Sequence, residues 1–150
     1  MKLKHSDPLI EFELTTKNET FQAKANLTGT YNFENVLAAI CIGNFFGLTP
    51  AQINNGLANY FPTNNRSQLT KTENNIVICD FYNANPSSMI AALNNLKTLH
   101  ATHKTAIIGD MFELGPESAD QHHIVAELAC ASDFDLLIFI GKAFYAFEHE

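Results

Sequence analysis

Residues 10–27 alternate apolar with polar positions, placing Phe12 and Leu14, then Phe21, Ala23, Ala25 and Leu27, around the turn-forming Lys17-Asn18-Glu19. A period of two predicts a β-hairpin. From Asn32 the period changes. Val36, Leu37, Ile40, Cys41, Asn44 and Phe45 recur at helical spacing, and Gly47 stands where a C-terminal cap belongs, so a helix is predicted to about Phe46. A second helix is predicted from Thr49-Pro50-Ala51-Gln52 to near Tyr60. The Thr49 hydroxyl and the Gln52 amide have capping-box spacing, and Pro50 takes the first helical position. Phe61-Pro62-Thr63-Asn64-Asn65 then breaks the pattern, and a domain boundary is placed there, between residues 1–64 and 65–150.

Beyond the break the rhythm is strand, helix, strand, helix, strand. Residues 76–79 form a short apolar run ending at Asp80. Asn85-Pro86 opens a helix with Met89, Leu93, Leu96 and Leu99 facing inward, and residues 105–109 form a second run ending at Asp110. A helix over 118–131 follows, with Ile124, Val125, Leu128 and Ala129 inward, and residues 135–140 complete the series before Gly141. Buried strands alternating with helices predict an α/β fold with a parallel sheet, whose ligands gather at the carboxyl ends of the strands. Asp80, Asp110 and Gly141 fall there.

Composition narrows the class of function. At 46% hydrophobic and 17% charged, 150 residues have enough apolar side chains for a core and too few charges for disorder. A formal charge of -7 excludes a basic surface of the kind that binds nucleic acid or an anionic membrane. No apolar run approaches the roughly 20 residues that span a bilayer, and no secretory signal pattern follows Met1. Cys41, Cys79 and Cys130 are odd in number and widely spaced, as expected of reduced thiols in a cytoplasm.

Two segments offer chemistry. Cys79-Asp80-Phe81-Tyr82-Asn83-Ala84-Asn85-Pro86 is a strand end bearing a carboxylate, then a loop rich in amides, then a helix start whose free N–H groups suit an anion. Asn85 alternatively serves only as an N-cap, and Asp80 only as a loop acid. Gly109-Asp110-Met111-Phe112-Glu113-Leu114-Gly115, with His122 beyond it, could hold a metal or supply an acid and a base; equally, these are a loop acid and a solvated helix residue. His122 and His123 point about 100° apart on a helix, and His100 with His103 lacks a third ligand, so no metal site is predicted. Gly141-Lys142 fails as a phosphate loop, because Leu136 stands at the first glycine position and Ala143 at the hydroxyl position. A dinucleotide glycine fingerprint is missing as well.

Three segments in order resemble the Mur ligase family. Gly29-Thr30-Tyr31-Asn32-Phe33-Glu34-Asn35-Val36-Leu37-Ala38-Ala39 is similar to the family's Gly-x-His-Asn-x-x-Asn-x-x-Ala-Ala signature, Arg66 with Gln68 to its Gly-Arg motif, and residues 80–89 with 109–115 to the branch that adds D-alanyl-D-alanine. The resemblance implies that residues 1–64 are the C-terminal remnant of the central ATP-binding domain. Residues 65–150 would be a truncated C-terminal domain with a Rossmann-like parallel sheet. It implies ATP and magnesium as cofactors, the latter held mainly outside this chain, and UDP-N-acetylmuramoyl-tripeptide and D-alanyl-D-alanine as substrates, joined through an acyl phosphate in a cytoplasmic enzyme of peptidoglycan synthesis.

By the same resemblance Asn32 approaches adenine, Arg66 the phosphates and Asp80 the ribose hydroxyls, while Tyr82, Asn83 and Asn85 line the cleft beside nucleotide and dipeptide. No catalytic residue is expected in this chain, which alone is expected to be inactive. Tyr31 departs from the family's histidine. Asn65 departs from its glycine, but asparagine tolerates the left-handed backbone such a turn requires. The competing expectation is a non-catalytic domain of the same fold that binds a nucleotide or peptide without turnover.

Overall fold

The computed structural model describes residues 2–15 and 20–147, so the hairpin turn expected at residues 17–19 lies outside the described residues. The chain divides into two units, Met1–Asp80 and Phe81–Glu150.

In the first unit, strands β1 (Lys2–His5), β2 (Ile10–Thr15) and β3 (Thr20–Ala25) form an antiparallel sheet in the order β1-β2-β3. Period-two alternation sends Ile10, Phe12 and Leu14 of β2 inward, with Ala23 and Ala25 of β3 beside them. Burying a side chain such as Ile10 or Phe12 completely is worth about 1.5–3 kcal/mol. A 3-10 turn, Thr30–Asn32, leads into α1 (Phe33–Phe45), which is followed by α2 (Pro50–Asn59). The Thr49 hydroxyl accepts the Gln52 N–H at 3.3 Å while the Gln52 side chain takes the Thr49 N–H at 2.9 Å, the reciprocal cap that the sequence spells.

Helix α1 buries a narrower stripe than its spacing predicts. Val36, Ile40 and Gly43 face the core, whereas Leu37, Ile42 and Phe45 are exposed. Gly43 is small because α2 comes close: a Cβ there would meet the Ile53 side chain at 3.0 Å. Strands β4 (Gln68–Lys71) and β5 (Ile76–Cys79) close the unit as an antiparallel hairpin.

The second unit runs α3 (Pro86–Thr98), β6 (Thr105–Gly109), a 3-10 turn, α4 (Ser118–Cys130), β7 (Leu136–Ile140) and the short α5 (Lys142–Tyr145). Strands β6 and β7 pair in parallel, with Thr105 opposite Leu136 and Gly109 opposite Ile140. Leu93, Ala106, Ile108, Met111, Val125, Ala129 and Phe144 form the core. Asp135 ties the strands at their start, accepting the Lys104 N–H at 2.7 Å.

The parallel sheet read from the sequence is therefore present as β6-β7. The run 76–79 instead takes its ladder from β4, antiparallel, because only residues 72–75 separate the two and Thr72 closes that turn on Asn75. A connection this short permits a hairpin and cannot make a parallel crossover.

Candidate functional site

Asp80 leaves the end of β5 half-buried, and it is already engaged. One carboxylate oxygen accepts the backbone N–H of Ser67 at 2.8 Å, and the other lies 3.4 Å from the Tyr31 hydroxyl. Ser67 is buried at 4% exposure, and its hydroxyl joins two further groups, the Tyr31 oxygen at 3.0 Å and the Asn32 amide nitrogen at 2.9 Å. Asn32 also donates to the Thr28 carbonyl at 2.8 Å and accepts from Asn35 at 2.9 Å. Both of its N–H bonds are thus used within the chain. Burial, and after it the Asp80 charge, pushes the Tyr31 phenol above its usual value, while its bond with Ser67 pulls the other way.

Local backbone makes this arrangement possible. Asn65 and Ser67 have φ of 56° and 50°, so the chain turns left-handed on both sides of Arg66, and the Gln68 side chain accepts the Asn65 N–H at 3.2 Å. Asparagine at position 65 occupies the conformation expected of it. Gly29 has φ 85° and no side chain in the way of Tyr31; a Cβ at Gly29 would overlap the tyrosine ring. Arg66 is exposed and, with Asn32 and Asn35, lines a cavity of about 520 Å³ whose apolar lining includes Val36, Ile53 and Leu57.

Of the six residues singled out from the sequence, Asn32, Arg66 and Asp80 belong to the first unit, where Ser67 bonds both Asn32 and Asp80. Tyr82, Asn83 and Asn85 belong to the second. Tyr82 and Asn83 are exposed. Asn85 caps α3, its side-chain oxygen accepting Ser88 N–H at 2.9 Å and the Ser87 hydroxyl at 2.8 Å. Ser67 escaped the sequence reading. The run of turn formers from Asn64 onward was its only mark.

The second acidic segment is occupied by structural work. The Asp110 carboxylate accepts the N–H groups of Ala143 and Phe144 at 3.1 and 3.2 Å, plugging the start of α5. At the position where a phosphate loop would present free N–H groups, the chain supplies its own anion. His122 is wholly buried, its Nε2 accepting the Met111 N–H at 2.9 Å and its Nδ1 donating to the Ser118 carbonyl at 2.6 Å. Glu113 is exposed at φ 64°. Among the described residues no group of three His, Cys, Asp or Glu could hold a metal ion, and no helix is long and apolar enough to cross a membrane.

Parallel strands joined by a helical crossover, with Asp110 and Gly141 at their carboxyl ends, define an α/β protein of the open-sheet class. Within that class, the family model described as Mur ligase, glutamate ligase domain, matches residues 65–149. The chain belongs to the Mur ligase family.

It is 35% identical to the UDP-N-acetylmuramoyl-tripeptide--D-alanyl-D-alanine ligase of Escherichia coli over 137 residues, which are 91% of this chain and 30% of that protein. To the enzyme of the same name from Treponema pallidum it is 36% identical over 118 residues, 79% of this chain and 26% of that one. A crystal structure of MurF from Acinetobacter baumannii superposes with a TM-score of 0.86 at 26% identity, covering 96% of this chain and 31% of the other. MurF ligase from Thermotoga maritima in complex with ADP shares the fold, with a TM-score of 0.78 at 20% identity over 97% of this chain and 34% of that one. The chain thus spans less than a third of the length of these two curated relatives.

Proposed function

We propose that these residues form part of a cytoplasmic, ATP-dependent ligase that adds D-alanyl-D-alanine to UDP-N-acetylmuramoyl-tripeptide, making an amide through an acyl phosphate. The observation that carries this reading is the 35% identity, over 91% of the chain, to the Escherichia coli enzyme whose name states that reaction.

The residues present fit a nucleotide in part. Asp80 is an acceptor whose carboxylate retains lone pairs beyond the two bonds it makes, which suits hydroxyl donors such as those of a ribose. Arg66 supplies a permanent cation for phosphate. Asn32, with both N–H bonds spent, serves this region by holding Ser67 and the Thr28 carbonyl in place, and its oxygen, which already accepts from Asn35, keeps one lone pair for a nucleotide donor. Tyr82, Asn83 and the amide nitrogen of Asn85 are assigned to the side of the incoming dipeptide. Magnesium is assigned mainly to parts of the ligase outside this chain; among the described residues no group of three His, Cys, Asp or Glu could hold a metal ion. Phosphoryl transfer depends on positioning and charge neutralisation, so the phosphate-cradling groups are assigned to parts of the ligase outside these 150 residues.

The test is ADP release by the full-length ligase carrying this sequence. Release should require both the UDP-linked tripeptide and D-alanyl-D-alanine. The 150-residue chain by itself should release none above a protein-free control. Turnover with a single amino acid in place of the dipeptide would refute the assignment.

A further inference from the structure

The polar groups of Asn32, Ser67, Tyr31 and Asp80 form a chain, and although either hydroxyl can donate between Tyr31 and Ser67, the carboxylate at its end argues for one direction. A carboxylate accepts and cannot donate, so the Tyr31 hydroxyl directs its proton at Asp80. With that proton committed, the Tyr31 oxygen accepts from the Ser67 hydroxyl at 3.0 Å, and the Ser67 oxygen in turn accepts the Asn32 N–H at 2.9 Å. The polarity therefore runs Asn32 to Ser67 to Tyr31 to Asp80, each bond polarising the next. The Ser67 backbone closes the loop by donating its own N–H to the other carboxylate oxygen at 2.8 Å. This last bond is firm, whereas the Tyr31 contact at 3.4 Å is long for an O–H donor.

Ser67 is thus the hub. It is buried, it holds a left-handed φ of 50°, and it touches every other member of the chain. The preceding sequence is shaped for it as well, since Gly29 leaves the space in which the Tyr31 ring lies.

We propose that Ser67 and Tyr31 are positioning residues that hold the Asp80 carboxylate in one orientation, so that discrimination in favour of a nucleotide bearing free ribose hydroxyls depends on them. The proposal rests on the reading of Asp80 as the ribose ligand. A carboxylate pinned at both oxygens loses little freedom when hydroxyls arrive, whereas an unpinned one must be ordered at that moment. Tyrosine at position 31 gives this chain a hydroxyl as the terminal donor.

The experiment uses the full-length ligase and compares ATP with 2′,3′-dideoxy-ATP in steady-state kinetics. Tyr31→Phe keeps the ring and removes one oxygen, while Ser67→Ala removes the hydroxyl and keeps the backbone N–H. Each is expected to raise KM for ATP about 5-fold, to leave kcat and KM for D-alanyl-D-alanine within about 2-fold, and to narrow the preference for ATP over the dideoxy nucleotide. Because both act through one chain, the double variant should lose no more than the larger single one. Asp80→Asn tests the underlying reading separately. If it leaves the preference unchanged, the ribose assignment falls and this inference with it. If it abolishes the preference while Tyr31→Phe and Ser67→Ala both retain it, the assignment stands and the positioning role is overturned. Losses that add in the double variant would likewise overturn the single relay.

Discussion

Replacing Asp80 by alanine and by asparagine separates what this carboxylate does for the fold from what it does for a ligand. In the fold it accepts the N–H of Ser67, a residue only 4% exposed, at 2.8 Å. Alanine removes the acceptor and leaves a buried donor unmatched, at a cost of about 1–3 kcal/mol. Asparagine keeps an oxygen that can accept the same N–H and gives up the charge, so its cost should be at most about 1 kcal/mol. On the proposed ribose role of Asp80, both variants would also lose a charge-assisted hydrogen bond to the nucleotide, worth about 1.5–3 kcal/mol, or about 10- to 150-fold in affinity. Equilibrium urea unfolding of the 150-residue chain reads the first effect, and KM for ATP in the full-length ligase reads the second. The expected outcome is two variants that differ in stability and agree in raising KM for ATP, with KM for D-alanyl-D-alanine unmoved. Asparagine destabilising as much as alanine would show that the charge, and not the acceptor, holds Ser67. Both Michaelis constants rising together would move Asp80 to the acceptor side of the site.

Two further outcomes follow from buried groups. His122→Leu keeps volume but removes the acceptor for the Met111 N–H, where Met111 is 3% exposed, and should cost about 1–3 kcal/mol in urea unfolding; a variant as stable as the parent would show that the imidazole only fills space. Burial, then the Asp80 charge, raises the Tyr31 phenol above its usual 10.0, so the native state binds a proton more tightly than the unfolded chain between 10.0 and the raised value. The resulting contribution is complete below pH 10.0 and is lost as pH climbs through the raised value. Tyr31→Phe should therefore show a shallower fall in stability above pH 10.0 than the parent, and equal slopes would refute the burial argument.

The sequence declared helices α1 to α4 and the strand β6 because the signals for them are local, whereas the four-residue α5 was not foreseen. Thr49-Pro50-Ala51-Gln52 and Asn85-Pro86 each carry a cap and a first-position proline within four residues, and α2 and α3 begin where those signals place them. The run 105–109 has apolar residues on both sides of the pleat and became β6 with the same bounds. Strand β4 carried no such mark. Gln68, Thr70 and Lys71 are polar, and what makes the segment a strand is the β5 partner that a four-residue turn returns to it. Strand β1, Lys2-Leu3-Lys4-His5, is equally polar and is likewise defined by its neighbour β2.

The candidate site divides along the same physical line. Asp80 and Asn85 were visible because acids at strand ends and asparagines before prolines have positional meaning. Whether Asn85 caps a helix or meets a ligand was open until its oxygen was found between Ser87 and Ser88, which assigns that oxygen to the cap and leaves the amide nitrogen for other work. Ser67 could not be seen this way. Its partners Asn32 and Tyr31 are 35 and 36 residues distant, and no periodicity or motif encodes a bond across that separation. A buried hydroxyl that receives one proton and passes on another is a property of the folded chain. A signature residue such as Asn32 accordingly has to be judged by where its hydrogen bonds go: two N–H bonds spent on Thr28 and Ser67 make it first of all a brace for the loop that carries Arg66.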